Sequence, residues 1–297
     1  MPTIKTFPPR KYDALSILFF RWIIKNILPR SWFCDPIPKK STLKAVTGNL
    51  QLEIVSHCWQ YANMLTYQLS SFVNYPPTKA NLVVTVFYSE DDIKTRAVLD
   101  YFSEKNVKNV TWNFTAMDNQ KLFRRGIGRN SAAKATKADW IWYTDCDIIF
   151  HDNCLDSLVD KLQGSQETLY FPEHEKTTEM LSADDPMLRA DSNPQIIDIN
   201  TDEFSLHSRD KAKGAFQIVH GDIARAIGYC EKISIFQTES IRWRKTYEDT
   251  AFRWLVNTNG IPVDIDGVCQ IRHVQKGRYG EASNVSRVRS KIRRMQE

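Results

Sequence analysis

The sequence predicts an α/β protein: a mostly parallel, doubly wound central sheet of Rossmann-like type, preceded by an N-terminal amphipathic helical extension. Two observations carry this expectation. From about residue 50 onward, short apolar runs rich in β-branched and aromatic residues alternate with longer segments of helical periodicity, the pattern of strand and crossover helix. The clustered acidic residues fall where apolar runs end, "SEDD" after "NLVVTVFY" and "TDCD" after "DWIWY". In open sheets of this kind ligands bind outside the carboxyl ends of the strands.

Residues 1–50 read as an extension, 51–277 as the α/β domain and 278–297 as a basic tail. The stretch "ALSILFFRWIIKNIL", Ala14 to Leu28, is apolar except for Ser16, Arg21, Lys25 and Asn26. It is too short for a bilayer span and contains charges, so two readings stand: a helix lying in a membrane interface, or one packed on its own domain. Breaks at Pro29, Pro36 and Pro38 follow. "LEIVSHC" is the first strand and "QYANMLTYQLSSFVNY" a helix stopped by Pro76 and Pro77. "NLVVTVFY" and "VTWNFTAM" are strands flanking the helix "DDIKTRAVLDYFSEKN", and the helical "RRGIGRNSAAKATKA" leads into the strand "DWIWYTDCD". "ETLYFPEH" reads as a strand, and the polar Glu175–Asp210, with "SADDP" and "DSNP", as a flexible loop or lid. "GAFQIVHGDIARAIGYC" reads as a strand turning into a helix capped by Asp222. "YEDTAFRWLVNTNG" is a helix stopped by Gly260, and "IPVDIDG" is a last strand.

With 297 residues, 42% of them hydrophobic and 25% charged, the composition is that of an ordinary globular protein with a sizeable core. The net charge of +5 is a mild excess, part of it in "SRVRSKIRRMQE", which reads as a solvated helix, and no nucleic-acid partner is expected. Six scattered cysteines without CxxC pairs suggest neither a zinc site nor a disulfide framework. They fit a reducing, cytoplasmic setting, with peripheral membrane contact through residues 14–28 as one option.

Asp145 and Asp147 end an aromatic strand that has no place for unpaired carboxylates. On an extended segment they share a face while Cys146 points back. Hard oxygen ligands so placed suit Mg²⁺ or Mn²⁺, and a pair of turn or capping aspartates is the competing reading. "SEDD" serves equally as a helix cap, and Glu248 with Asp249 equally as charges favoured by a helix dipole.

Together the motifs resemble those of the metal-dependent nucleotide-sugar glycosyltransferases of the GT-A fold, in particular the family 2 type. The resemblance covers about Glu53 to Gly277 and rests on "RNSAAKATKADWIWYTDCD", "KGAFQIVHGDIARAIGYCE", "YEDTAFRW" and "IRHV" in order. It implies a UDP-sugar or other nucleotide-sugar donor, with Asp145, Asp147 and His273 holding Mn²⁺ or Mg²⁺ at the donor diphosphate. It further implies Asp249 as the base that deprotonates an acceptor hydroxyl, with inversion, and Glu248 positioning the acceptor. Ser56, Asp91 or Asp92, Arg129, Asn130, Asp145 and Gly214 match positions lining the nucleotide-sugar. The acceptor is a glycan, a lipid-linked molecule or another hydroxyl compound. "IRWRKTYED" departs from the glycines and Trp that many relatives carry before the acidic pair, which bears on acceptor specificity. Other classes stay open: a catalytically silent nucleotide-sugar binder, a membrane-associated scaffold, or a nucleotidyltransferase on a related fold.

Overall fold

The strand β1 (Leu50–His57) lies inside a seven-stranded sheet, and seven of its eight residues are buried, as a strand covered on both faces requires; Glu53, Ser56 and His57 are buried along with its apolar residues. The computed structural model describes residues 5–11, 13–182, 185–189, 194–243 and 246–274. The expected tail 278–297, the end of the expected domain, and parts of "SADDP" and "DSNP" lie outside them. The N-terminal helix is α1 (Asp13–Phe19), continued by a π-helical turn at Phe20–Ile24 into α2 (Lys25–Ile27). After β1, helix α3 (Ala62–Asn74) returns the chain to β2 (Ala80–Tyr88), and α4 (Ile93–Ser103) leads to β3 (Val110–Ala116). Then α5 (Asn119–Leu122) and α6 (Arg125–Ala135) bring it to β4 (Trp140–Tyr143), which pairs with β1 on the side away from β2. All three pairings among β1, β2, β3 and β4 are parallel. The chain thus reverses its direction of travel across the sheet between β1 and β4, which creates a crevice at their carboxyl ends.

The aromatic run "DWIWY" does not continue as one strand through the aspartates. It ends at Tyr143, turns at Cys146–Asp147, and resumes as β5 (Ile148–Phe150) in a second, four-stranded sheet, followed by helix α7 (Cys154–Leu162). "ETLYFPEH" divides likewise, into β6 (Leu169–Pro172) in the large sheet and β7 (His174–Thr177) in the small one. The expected loop from Glu175 to Asp210 is partly ordered. β8 (Ser205–Ser208) pairs antiparallel with β7, and buried Glu175 bonds Arg209. The intervening segment docks on α3, where Asn63 Nδ2 donates to the Leu188 carbonyl at 3.1 Å and Ser70 Oγ accepts from Ile197 N at 2.9 Å.

The strand β9 (Gln217–His220) lies antiparallel between β4 and β6, the reversed member of an otherwise parallel sheet. It is reached from β8 without a crossover helix, so it can enter from the opposite end. Helix α8 (Gly221–Ile227) is capped by the His220 ring, which accepts from Asp222 N at 3.1 Å, rather than by Asp222. Asp222 sits in the first turn and binds Arg225 at 2.6 Å instead. Helix α9 (Glu248–Val256) ends at Asn257 in the left-handed region, three residues before Gly260. β10 (Ile261–Val263) closes the edge of the large sheet beside β6, and β11 (Val268–Gln270) pairs with β5 and β7 in the small one.

Candidate active site

The Asp145–Asp147 turn sits where the two sheets meet, and backbone bonds from three directions fix it. Thr144 N donates to the Val55 carbonyl of β1 at 2.9 Å, and Ile271 N, beyond β11, donates to the Asp147 carbonyl at 3.0 Å. From α3, Gln68 Nε2 donates to the carbonyls of Asp145 at 2.8 Å and Ile148 at 3.0 Å. Cys146 is buried and points its thiol at the His57 carbonyl, 3.3 Å away.

Because the segment turns instead of running extended, the two carboxylates do not share one set of partners. Asp145, the more exposed, takes Arg125 Nη1 at 2.5 Å and has Arg129 Nη2 at 3.6 Å. Asp147 is buried and accepts from the Tyr61 hydroxyl at 3.4 Å. The same hydroxyl contacts Nε2 of buried His273, which follows β11 and is bridged to Leu181. Asp147 and His273, distant in sequence, therefore converge on one oxygen. Two carboxylates and an imidazole are a donor set that suits Mn²⁺ or Mg²⁺. The convergence of Asp147 and His273 fits such an ion, while Asp145 is turned toward the guanidiniums. Among the described residues, no three His, Cys, Asp or Glu side chains come close enough together to form a ligand cluster as they stand.

Arg125 and Arg129, on successive turns of α6, form the positive centre of the site. Arg125 reaches Asp145 with Nη1 and Glu248 Oε1 with Nε at 3.1 Å. Burial works against its charge, but the carboxylates of Asp145, Glu248 and Asp249 outweigh that and raise its pKa further. Glu248 at the start of α9 is fully buried, with Thr246 donating to its other oxygen. Burial disfavours its ionised form, yet Arg125 and Arg129 prevail and hold it below the usual carboxylate value. Its contacts are thus internal, to Arg125 and Thr246, rather than to a surface that an acceptor could reach.

Arg129 donates to the Tyr229 hydroxyl at 2.9 Å and to the Gly214 carbonyl at 3.2 Å. Gly214 N in turn donates to Asp249 Oδ2 at 3.1 Å. Gly214 has φ +44, and open space surrounds the place where a Cβ would be, so the left-handed backbone rather than crowding favours glycine there. Asp249 is half-buried in the first turn of α9, with Arg253 one turn on at 4.0 Å. The acidic turn, the Arg–Asn helix, the glycine-led loop and the acidic helix start thereby meet around one guanidinium.

The remaining expected residues divide between binding positions and supports. Ser56, near the end of β1, is buried, and its hydroxyl finds no hydrogen-bond partner among the described residues. Asn130 accepts from Tyr229 N at 2.8 Å and so fixes the turn after α8. Asp92 caps α4, taking Thr95 N at 3.3 Å and Thr95 Oγ1 at 2.7 Å, and also binds Gln60 N at 2.6 Å. Asp91 is exposed, bound to Asn119 Nδ2 at 2.5 Å, and lines an open groove of about 480 Å³ with Ser89, Asp118 and Lys121 at the carboxyl ends of β2 and β3. Of the two aspartates, Asp91 is the one facing open space.

Arg125, Tyr61, Gln68 and Tyr229 were not singled out by sequence. Only Arg125 carried a signal, in "RRGIG" one turn ahead of Arg129. His57 was also missed. It is fully buried; burial first, then Arg129 and Arg125, hold its imidazole well below its usual pKa, so it stays neutral. A Cβ at Gly128 would lie 2.0 Å from His57 Nε2, which gives the second glycine of "GIG" a packing reason.

The model of the family described as "Glycosyl transferase family 2" matches residues 60–226, a span running from the start of α3 almost to the end of α8 and including the acidic turn, the Arg–Asn helix and Gly214. The chain belongs to glycosyl transferase family 2. The assembled carboxylates and arginines are its candidate catalytic residues. Among solved structures, S. aureus TarS 1-349 is similar at 14% identity, over 78% of this chain and 63% of that one, with TM-score 0.45. The same protein in complex with UDP-GlcNAc matches at 13% identity over 46% of this chain and 36% of that one, with TM-score 0.33. The chain thus spans less than two thirds of either TarS chain, and overlaps this loose add nothing to the family assignment. A comparison with curated proteins finds no match.

Proposed function

We propose that this family 2 glycosyltransferase moves a sugar from a nucleotide-sugar, with a UDP-sugar as the first candidate, to an acceptor hydroxyl by direct displacement with inversion. The observation that carries the reading is the chain of contacts from Asp145 through Arg129 and Gly214 to Asp249, which supports donor and acceptor chemistry in one crevice. Asp249 accepts the proton of the attacking hydroxyl, and the bond from Gly214 N orients its carboxylate toward that task. Arg125 and Arg129 are buried cations beside the place assigned to the donor diphosphate. Their field offsets negative charge developing on the leaving group, more strongly than it could in water.

Asp147 and His273, with Asp145 once released from Arg125, would hold Mn²⁺ or Mg²⁺. When bound, such an ion supplies Lewis-acid neutralisation of the diphosphate. Asp91, on the open groove, is the residue assigned to the nucleoside, and Asp92 supports it as a cap. Ser56, buried near the end of β1, is assigned to the nucleotide-sugar as well. Glu248 acts through Arg125 rather than on the acceptor. The acceptor class is a glycan, a lipid-linked compound or another hydroxyl molecule.

The test is a thermal-shift screen of nucleotide-sugars with and without Mn²⁺, repeated on Asp147→Asn, followed by transfer assays with the stabilising donor. Ligand that binds only the folded state raises stability by mass action. Metal-dependent stabilisation of the native protein but not of Asp147→Asn is expected. Equal stabilisation of both would remove the metal assignment, and none with any donor would remove the donor class.

A further inference from the structure

The N-terminal helix presents its faces in the reverse of the order usual for a helix on a protein surface. Its two cations turn toward the protein. Arg21 lies 4.1 Å over the Tyr247 ring, and Lys25 is half-buried beside Arg253 and Trp254. Ile17 and Phe20 are buried under them, with Phe20 edge-on to Phe33, Phe236 and Trp254. The outward residues are Leu15, Leu18, Phe19, Trp22, Ile23 and Ile27, exposed from 41% at Ile23 to 70% at Ile27. Their spacing of three and four residues makes them one continuous stripe. The polar side chain among them, Asn26, donates to its own helix at Trp22 O, 3.0 Å away. A stripe of this kind is unfavourable in water and marks a surface that something covers.

Charge identifies the cover. The first fifty residues hold nine Lys and Arg against two Asp, a net +7, whereas the whole chain carries +5, so the remainder is slightly acidic. Exposed Arg10 and Lys11 immediately precede the helix, and Arg30 follows it, next to Trp32, which is 67% exposed. Apolar side chains facing outward, Trp22 among them and Trp32 at their margin, with lysine and arginine at both ends, are the chemistry of a helix resting in an anionic bilayer interface. No helix among the described residues is long and apolar enough to cross a membrane, so the contact is superficial.

We propose that the stripe from Leu15 to Ile27 seats on the surface of an anionic lipid bilayer, with its buried face holding the glycosyltransferase against that surface. The inference concerns where the enzyme works and is independent of the donor and metal assignments.

The experiment is co-sedimentation of the whole chain with phosphatidylcholine vesicles, and with vesicles also containing phosphatidylglycerol, for the native protein, Phe19→Ser/Trp22→Ser and Arg10→Glu/Lys11→Glu. Native protein should partition onto the anionic vesicles and be released by salt. The apolar variant should lose about tenfold or more in partition coefficient on loss of two aromatics that the bilayer would cover. The charge-reversed variant should weaken on anionic vesicles and be unchanged on neutral ones. Analytical ultracentrifugation without lipid separates the competing cover. A native dimer that Phe19→Ser/Trp22→Ser converts to monomer, with no vesicle binding, would overturn the proposal in favour of a second copy of the chain. Equal sedimentation of native and apolar variant would overturn it as well. Urea-unfolding midpoints of both variants should match the native protein's, showing that they fold.

Discussion

In the proposed reaction Asp249 is the single carboxylate whose role separates binding from chemistry. Asp249→Asn preserves shape and can still accept from Gly214 N, but it cannot take a proton. Transfer should fall by about 10²- to 10⁴-fold, while donor-induced thermal stabilisation is kept. Loss of both would assign Asp249 to donor binding. Arg125 poses the complementary case, a cation whose removal strands two acids. Arg125→Met should cost about 3–5 kcal/mol in urea unfolding near neutral pH, because the fully buried Glu248 keeps its desolvation penalty without its partner. The pH dependence has a definite sign. In the native protein burial raises the Glu248 value, Arg125 and Arg129 more than reverse this, and the folded pKa lies below the ordinary 4.5. The stability this contributes is complete above the unfolded value and disappears as pH falls through the lower folded one. In Arg125→Met the folded value rises, so the acid limb of the stability profile should move to higher pH. An unmoved limb would show that the pair is energetically silent.

Among the elements, α3 and the acidic turn form the unit on which the proposed metal and donor binding depends. Backbone donors reach the turn only singly, Ile148 N at the Asp145 carbonyl (3.2 Å) and Ile271 N at the Asp147 carbonyl (3.0 Å), and Gln68 from α3 adds a donor to the Asp145 carbonyl and one to that of Ile148 at the start of β5. Gln68→Leu keeps the volume and removes both of these side-chain donors, at a cost of about 1–3 kcal/mol. The larger effect is expected on geometry: the donor concentration giving half-maximal rate should rise more than the maximal rate falls, measured by initial-rate kinetics in Mn²⁺. An equal loss of both stability and maximal rate, with donor affinity intact, would place Gln68 in the general core. Strand β9 and helix α8 illustrate the same dependence on context. Gly221 fits because an added Cβ would lie 2.0 Å from the Ala138 carbonyl, a contact that exists only once the antiparallel pairing of β9 with β4 is made.

For the whole molecule, the N-terminal segment and the sheet are one packed body at Phe20 and separate surfaces one residue earlier. Phe20→Ala should cost about 3–4 kcal/mol, as for other large buried aromatics, whereas Phe19→Ser should leave urea unfolding within about 0.5 kcal/mol of native. Comparable losses at both positions would mean that the outward face is covered in the protein itself.

The sequence by itself determined the alternation of strands and helices, the positions of the acidic residues at strand ends, and the helical stripe of the N-terminus, because periodicity and burial preference act over a few neighbouring residues. It also identified Asp145, Asp147, Arg129, Gly214, Asp249 and His273 as members of one motif set. Only the tertiary structure decided that the aspartates part at a turn, that Arg125 joins Asp145 to Glu248, that Tyr61 brings Asp147 to His273, and which face of the N-terminal helix is outward. Each of these is a contact between segments far apart along the chain. Charge pairing and packing at such distances depend on how the elements dock, and local pattern carries no information about which buried partner a side chain will meet.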